Sequence, residues 1–364
     1  MTRSVYYFNS NLGRISTSPG DFLDRFAIYA NARKKESELD VAPVKMILGG
    51  FPKSISLKDR DALTVISVPK NPVVQTFVIS RLIRRDNGRV LLIAGDNNLS
   101  LAICIFLKLV HRDLKVQISI HADFESVFNS KGFKALVKRK LLLWNIPKVE
   151  SVRLVSEIDL PKFKSIAQSN KVEFFVSPIP IDIPAQIPDI SRKLKLAIVG
   201  RLHEERGLKE AVKIILELDR RDIFVELLIV GSGSEEQWLR SQLSNLKFLK
   251  VNFFGQIEQS QLKSLWDEIK VVLSCAPLES YGMALREAIV HGTQVVARRN
   301  GTTESLSRAF PRLVDTYMTA DEAVNLILAA LRKGLSSEEV QEARAILRKQ
   351  QDEYLAVLAR SWID

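Results

Sequence analysis

Short apolar, β-branched runs alternate with longer amphipathic segments along the whole chain. This pattern predicts strands and helices in turn. In the first half the strand-like runs are Val5–Phe8, Val44–Leu48, Leu63–Val68, Val90–Ile93, Val116–His121, Val152–Val155 and Glu173–Val176. In the second half they are Leu194–Val199, Phe224–Val230, Val251–Phe254, Val271–Ser274 and Gln294–Ala297, with helix-like segments such as Leu208–Leu218, Ser234–Leu243 and Met283–Val290 between them. Strand-then-helix alternation implies an α/β fold with parallel sheets covered on both faces. Nothing repeats at a fixed period, which excludes a solenoid.

One stretch interrupts the pattern. Ser177–Arg192, SPIPIDIPAQIPDISR, holds four prolines and can be neither a helix interior nor a central strand. It reads as an extended, stiff connector between an N-terminal domain, 1–190, and a C-terminal one, 191–364. Two doubly wound domains joined by such a hinge place the ligand site in the cleft between them. The tail is helical from about Ala320, and Ser336-Ser337-Glu338-Glu339 reads as a capped helix start. The final turns carry Tyr354, Leu355, Val357, Leu358 and Trp362, too much apolar surface for a free helix. A C-terminal helix crossing back to the first domain accounts for them.

Composition narrows the class. With 364 residues, 46% apolar and 26% charged, the chain is neither disordered, collagen-like nor a disulfide scaffold. Its apolar stretch Leu99–Leu107 falls far short of the ~20 residues a membrane span needs, and no apolar core follows the N-terminus as in a signal peptide. Cys104 and Cys275 sit in apolar runs, as buried thiols of a reduced compartment do. A soluble cytoplasmic protein is expected.

Charge adds a polarity between the halves. Residues 1–190 hold 28 Lys and Arg against 18 Asp and Glu, whereas 191–364 hold 25 against 24, for a net charge of +11. The first half therefore suits an anionic membrane surface or a polyanion, unless the surplus merely serves solubility. Within it, Lys131–Trp144 (KGFKALVKRKLLLW) places Phe133, Leu136, Val137, Leu141 and Trp144 on one helical face and Lys131, Lys134, Lys138 and Arg139 on the other. Such a helix either lies on an anionic leaflet, peripheral to the inner face of a membrane, or buries its apolar face in the core.

Three segments of the second half carry chemistry. The run from Val199 to Gly207 reads as a strand end feeding Arg201 and Arg206, five residues apart, into a helix start. Helix-end N–H groups and forked guanidiniums suit a diphosphate, although the same pattern alone also describes two surface arginines. Ile229–Ser234 (IVGSGS) repeats strand, glycine turn and helix, but Glu236 stands where a dinucleotide fingerprint needs its third glycine. Gly231 therefore reads as a tight turn lining the same cleft. The third segment, Pro277–Ala288 (PLESYGMALREA), sets Glu279 in a loop and Glu287 eight residues later on a helix, with Gly282 opening that helix. Carboxylates accept paired bonds from sugar diols, and the N–H groups of Gly282, Met283 and Ala284 can hold phosphate oxygens. One glutamate for a ribose, one for a hexose and a helix end for phosphates describe a nucleotide-sugar site.

On these motifs the run Arg201–Glu304 resembles the second domain of retaining GT-B glycosyltransferases, specifically the "glycosyl transferases group 1" (family 4) class. Their E-x7-E motif matches Glu279…Glu287, and the following AIVHGTQVVA and Gly301-Thr302-Thr303-Glu304 resemble theirs as well. The resemblance implies GT-B architecture, with two Rossmann-like domains facing a cleft. It implies that Arg201 and Arg206 hold the diphosphate, Arg206 standing where lysine is usual. Glu287 would bind the ribose, Glu279 the donor sugar, and the backbone around Ile257 would border the base. In the first half the family's donor-facing histidine matches His121. Of its paired phosphate-side glycines only Gly13 and Gly20 remain, and Pro178–Asp182 departs from the usual Pro-Asn-Gly-Val-Asp.

The implied activity is transfer of a sugar from a nucleoside-diphosphate sugar to a glycan or lipid-linked acceptor with retention, needing no cofactor. No ligand-spaced His/Cys/Glu cluster is evident, so a metal-independent mechanism is expected. Two alternatives stay open: a non-catalytic nucleotide-sugar-binding scaffold, and a GT-B transferase acting on nucleic acid. The basic stretches lack interleaved aromatics, so no nucleic-acid partner is expected.

Overall fold

The computed structural model describes residues 3–10, 19–37, 41–50, 61–86, 89–95, 97–129, 131–167, 171–186 and 194–363. The chain divides into two compact units, Met1–Pro180 with Gln351–Asp364, and Ile181–Gln350. The division falls inside the proline-rich stretch rather than at residue 190. The reason is packing: Ile181 is buried in the second unit's core and Asp182 pairs with Lys263 at 2.7 Å, so both belong to that unit.

The first unit runs β1 (Ser4–Asn9), α1 (Pro19–Glu36), β2 (Val44–Gly49), β3 (Leu63–Val68), α2 (Pro72–Arg85), β4 (Val90–Gly95), α3 (Asn98–Val110), β5 (Lys115–Ile120), α4 (Phe124–Phe128), α5 (Phe133–Asn145), β6 (Ser151–Leu154), α6 (Leu160–Ala167) and β7 (Glu173–Val176). Its seven-stranded sheet has the order β3-β2-β1-β4-β5-β6-β7, and the adjacent strands pair in parallel. Every residue of β4, VLLIAG, is buried, as expected of a strand covered on both faces. Helix starts are marked by side-chain caps: the Asn71 carboxamide oxygen accepts from the Val73 N–H at 2.9 Å, and Asn97 serves α3 in the same way.

The second unit runs β8 (Lys195–Val199), α7 (Leu208–Arg220), β9 (Val225–Val230), α8 (Glu236–Gln242), β10 (Leu249–Gly255), α9 (Gln259–Trp266), β11 (Val271–Ser274), α10 (Met283–Val290), β12 (Gln294–Arg298), α11 (Gly301–Ala309), β13 (Val314–Tyr317), α12 (Ala320–Arg332) and α13 (Ser337–Ile363). Its sheet has the order β10-β9-β8-β11-β12-β13, again parallel. Strand β13, VDTY, has no counterpart among the expected strands. It is short, lies at the sheet edge and carries Asp315 mid-strand, so it lacks an apolar run.

Helix α13 starts where the sequence indicates, with reciprocal bonds between Ser336 and Glu339. Its last turns belong to the first unit, as the apolar tail requires. Leu358 and Trp362 are buried with Tyr7, Phe26 and Tyr29, and Trp362 Nε1 donates to Gln117 Oε1 at 3.1 Å. Tyr354 donates its hydroxyl to Glu157 at 3.0 Å.

Helix α5 turns a different face inward than its pattern predicts. Leu142 and Asn145 are its buried residues, Val137 and Leu141 are half-buried, and Phe133, Leu136, Leu143 and Trp144 are exposed. Both cysteines are free and buried, and burial pushes each thiol up to about 12. Among the described residues no helix is long and apolar enough to cross a membrane.

Candidate active site

The sheet of the second unit reverses its order between β8 and β11: α7 leads outward to β9, whereas β11 pairs back onto β8. At such a switch point the loops leaving the two central strands diverge and leave room for a ligand at their carboxyl ends. The two loops here are Gly200–Gly207 and Cys275–Gly282, and they carry four of the residues singled out from sequence.

The first loop is built on close backbone approach. The Gly200 N–H donates to Val230 O at 2.9 Å, Leu202 N–H to Ser232 O at 2.9 Å, and Gly231 N–H to Gly255 O at 2.8 Å. These bonds stack the turns after β8, β9 and β10. A Cβ on Gly231 would lie 1.9 Å from Gly200 O, and one on Gly207 would lie 2.0 Å from Cys275 O. Both backbones also sit at positive φ, 130° and 70°. Gly231 thus marks a turn pressed against its neighbour. His203 adds a side-chain tie, since its Nδ1 lies 3.0 Å from Ser234 Oγ and accepts from the Ser234 N–H.

The loop ends in a single 3-10 turn, Glu204–Arg206, which presents the two arginines differently. Arg201 is exposed and lies 3.6 Å from Glu205. Arg206 is largely covered and donates to Glu279 Oε2 at 2.9 Å. Two residues distant in sequence, both chosen for nucleotide-sugar chemistry, therefore meet in a charge-assisted bond.

The second loop leads into α10, which Gly282 opens in left-handed backbone. Met283 and Ala284 occupy its first turn, where helical geometry supplies no intrahelical acceptor for the N–H groups. Glu287, one turn on, is buried and accepts from Gln259 Nε2 at 3.1 Å. Gln259 opens α9 two residues after the half-buried Ile257, so the loop leaving β10 reaches Glu287 directly. Below α10, buried His291 lies 2.8 Å from Asp267 and fixes the helix's carboxyl end.

Sequence reasoning missed the supports of this loop. Thr302 donates its hydroxyl to the Glu279 carbonyl at 2.6 Å, and Asn300 Nδ2 donates to Ala276 O at 3.1 Å. The start of α11 thus holds the loop from both sides of Glu279. The signal lies in Asn300-Gly301-Thr302-Thr303, whose polar side chains mark a helix start but do not reveal the loop that they hold. Gln259 was missed because nothing in its local pattern distinguishes it from a surface residue.

The remaining candidates come from the first half of the chain. His121 belongs to the first unit, is exposed and directly follows β5. Gly13 lies outside the described residues. A cavity of about 470 Å³ sits beyond Gly207, lined by Glu204, Lys209, Glu210, Trp238 and Arg298 among others, and touches neither Glu279 nor Glu287. A much smaller pocket lies against Gly200, Arg201, Arg206 and Ser274. Among the described residues no group of three or more His, Cys, Asp or Glu is placed to hold a metal ion.

The order of the glycine turn, the two arginines, the loop glutamate and the helix glutamate invites comparison with known proteins. Residues 182–351 match the family "Glycosyl transferases group 1". Two Mycobacterium tuberculosis glycogen synthases are 26% identical over 157 residues, which is 43% of this chain and 37% of theirs. The matched region thus covers well under half the length of these relatives. Solved structures extend the likeness to the rest of the chain. Anabaena HepE in complex with UDP-glucose aligns over 99% of this chain and 98% of its own, at a TM-score of 0.70 and 15% identity. Sucrose-phosphate synthase from Thermosynechococcus elongatus covers 98% of this chain and 94% of its own, at 0.70 and 15%. The chain has the α/β GT-B fold, and residues 182–351 are similar to the glycosyl transferases group 1 family.

Substituting Gln259 tests the helix–loop tie directly. Gln259→Leu removes the donor to Glu287 while keeping the side chain's bulk. On the nucleotide-sugar reading proposed below, calorimetry should show nucleoside-diphosphate affinity falling about tenfold, the cost of one hydrogen bond to a charged group. The melting temperature should stay within a few degrees of the parent's.

Proposed function

We propose that the chain transfers a sugar from a nucleoside-diphosphate sugar to a glycan or lipid-linked acceptor, with retention of configuration and without a metal ion. The observation that carries this reading is the Arg206–Glu279 pair at 2.9 Å on two loops flanking the β8/β11 switch point, with α10 opening behind Glu279. HepE has been solved with UDP-glucose, which makes uridine donors the first to test.

In this reading Arg201, Arg206 and the first amides of α10 meet the diphosphate and stabilise the charge that develops on it as the leaving group. Glu287, held by Gln259, receives the ribose hydroxyls. Glu279 faces the donor sugar and Ile257 borders the base. The bond from the anomeric carbon to the phosphate oxygen breaks as the acceptor oxygen bonds to the same face. The acceptor's hydroxyl proton passes to the departing phosphate, so no separate base is required. Positive charge from the two arginines and the helix end takes the place a metal ion would otherwise fill.

Transfer assays in EDTA, with the anomeric configuration of the product read by NMR, test this reading. Activity should persist in the chelator and the product should keep the donor's configuration. Glu287→Ala should weaken nucleotide binding by 10- to 100-fold, while Glu279→Ala should chiefly lower kcat, since one contact precedes the reaction and the other acts on the reacting sugar. Wild-type transfer by both variants, inversion at the anomeric carbon, or loss of all activity in EDTA would each contradict it.

A further inference from the structure

Outside the site, the first unit carries an unusual surface. Helices α2, α3 and α5 cover one core of its sheet, with α3 packed against both α2 and α5. The Ser80 hydroxyl lies 2.8 Å from His111 Nε2 and links α2 to the end of α3, and Asn98 Nδ2 donates to Lys134 O at 3.2 Å, linking α3 to α5. The three helices therefore form one continuous layer. We propose that the outer face of this layer docks the protein on an anionic lipid bilayer.

Two properties coincide on it. All three helices direct large apolar side chains outward: Phe77, Leu109 and Phe133 are 65%, 73% and 78% exposed, with Val73, Phe106 and Trp144 also exposed. Their sequences also hold eight Lys and Arg and not one Asp or Glu. Helix α1, which packs in the unit's other core, has Asp21, Asp24 and Glu36 among its basic residues. The charge surplus of the first half is thus not spread evenly but concentrates on the layer that exposes the apolar groups.

The layer also has a seam. Between α3 and α5 runs a groove of about 240 Å³ lined by Cys104, Ile105, Leu109, Val116, Trp144 and Val149. Lys108 and Lys148 rim it, and Lys148 Nζ stands 3.4 Å from the Trp144 ring centroid. An indole beside lysines, above an apolar slot, matches the boundary where headgroups give way to acyl chains.

The mixture identifies the partner's chemistry. A nucleic acid would answer the cations but not the exposed Val, Leu and Phe side chains. A second copy of the same face would set cation against cation, since the Glu150 carboxylate beside it is already held by Lys108 at 2.7 Å. An anionic bilayer satisfies both properties, since its headgroups attract the basic residues and its interior takes the apolar ones. The inference concerns the first unit alone and does not depend on the transfer chemistry.

Vesicle flotation of the full chain tests it, using phosphatidylcholine vesicles with and without about a third phosphatidylglycerol. Binding to the anionic vesicles should exceed binding to the neutral ones at least tenfold and weaken in high salt. Brominated acyl chains should quench tryptophan fluorescence, and Trp144→Phe should abolish that quenching with binding largely retained. Leu109→Glu, at an exposed position, should reduce binding tenfold or more without changing the melting temperature. Equal binding to both vesicles, no binding to either, or Leu109→Glu binding like the parent would overturn the proposal. Full displacement by duplex DNA with unquenched tryptophan would instead assign the face to a polyanion.

Discussion

On the proposed transfer reaction, Arg206→Ala should lower kcat/KM by about 10²–10³-fold, the loss seen when one preorganised charge-stabilising donor is removed from a transition state. The size of the effect follows from two losses at once. The guanidinium sits at the end of the β8 loop, where a departing diphosphate would gather charge, and it also pairs with Glu279 at 2.9 Å. Removing it leaves a carboxylate that is only 11% exposed without its cation. Arg206→Lys keeps the charge but not the fork and should lose far less, about tenfold. A double-mutant cycle with Glu279→Ala should show coupling of about 1–3 kcal/mol, because the two groups touch. Steady-state kinetics of the four proteins decide the matter, and additivity would separate the pair in function despite their contact.

The second large effect is on stability. Gly231→Val should destabilise the protein by roughly 3 kcal/mol or more and lower the melting temperature by several degrees. The new Cβ would fall 1.9 Å from Gly200 O, at a φ of 130° that side chains avoid. The neighbour that must move is backbone, already committed through the Gly200 N–H to Val230 O. The turns after β8 and β9 would separate, and nucleotide affinity should fall along with stability. Thermal unfolding followed by circular dichroism measures the first effect. A variant with unchanged melting would show that this stacking of turns carries little energy.

What could be read from sequence follows physical lines. Central strands such as β4 and β12 announce themselves because burial on both faces demands an unbroken apolar run. Edge strand β13 hides because one side needs no such run, and Asp315 interrupts it. The proline stretch marked the division between the units, but only packing shows that Ile181 and Asp182 go with the second.

In the candidate site, the residues that bear charge were legible by type and spacing, and the structure joins Arg206 to Glu279. Their supports were not. Thr302, Asn300 and Gln259 act through long-range bonds whose partners no local pattern reveals. Helix α5 shows the converse limit: its period marks a helix, but the face that turns inward is set by neighbours, here with Leu142 inside and Phe133 and Trp144 outside.

The most direct test of the central claim is calorimetric titration of the purified chain with UDP, GDP, ADP and dTDP in EDTA, alongside Arg201→Ala. Arg201 lies on the loop leaving β8 and is exposed, so its loss should leave the fold intact. The account predicts selective binding of one nucleotide and its loss, or a drop of at least tenfold, in the variant. Binding of none of the four, or equal binding by the variant, would contradict a nucleoside-diphosphate site at the β8/β11 switch point.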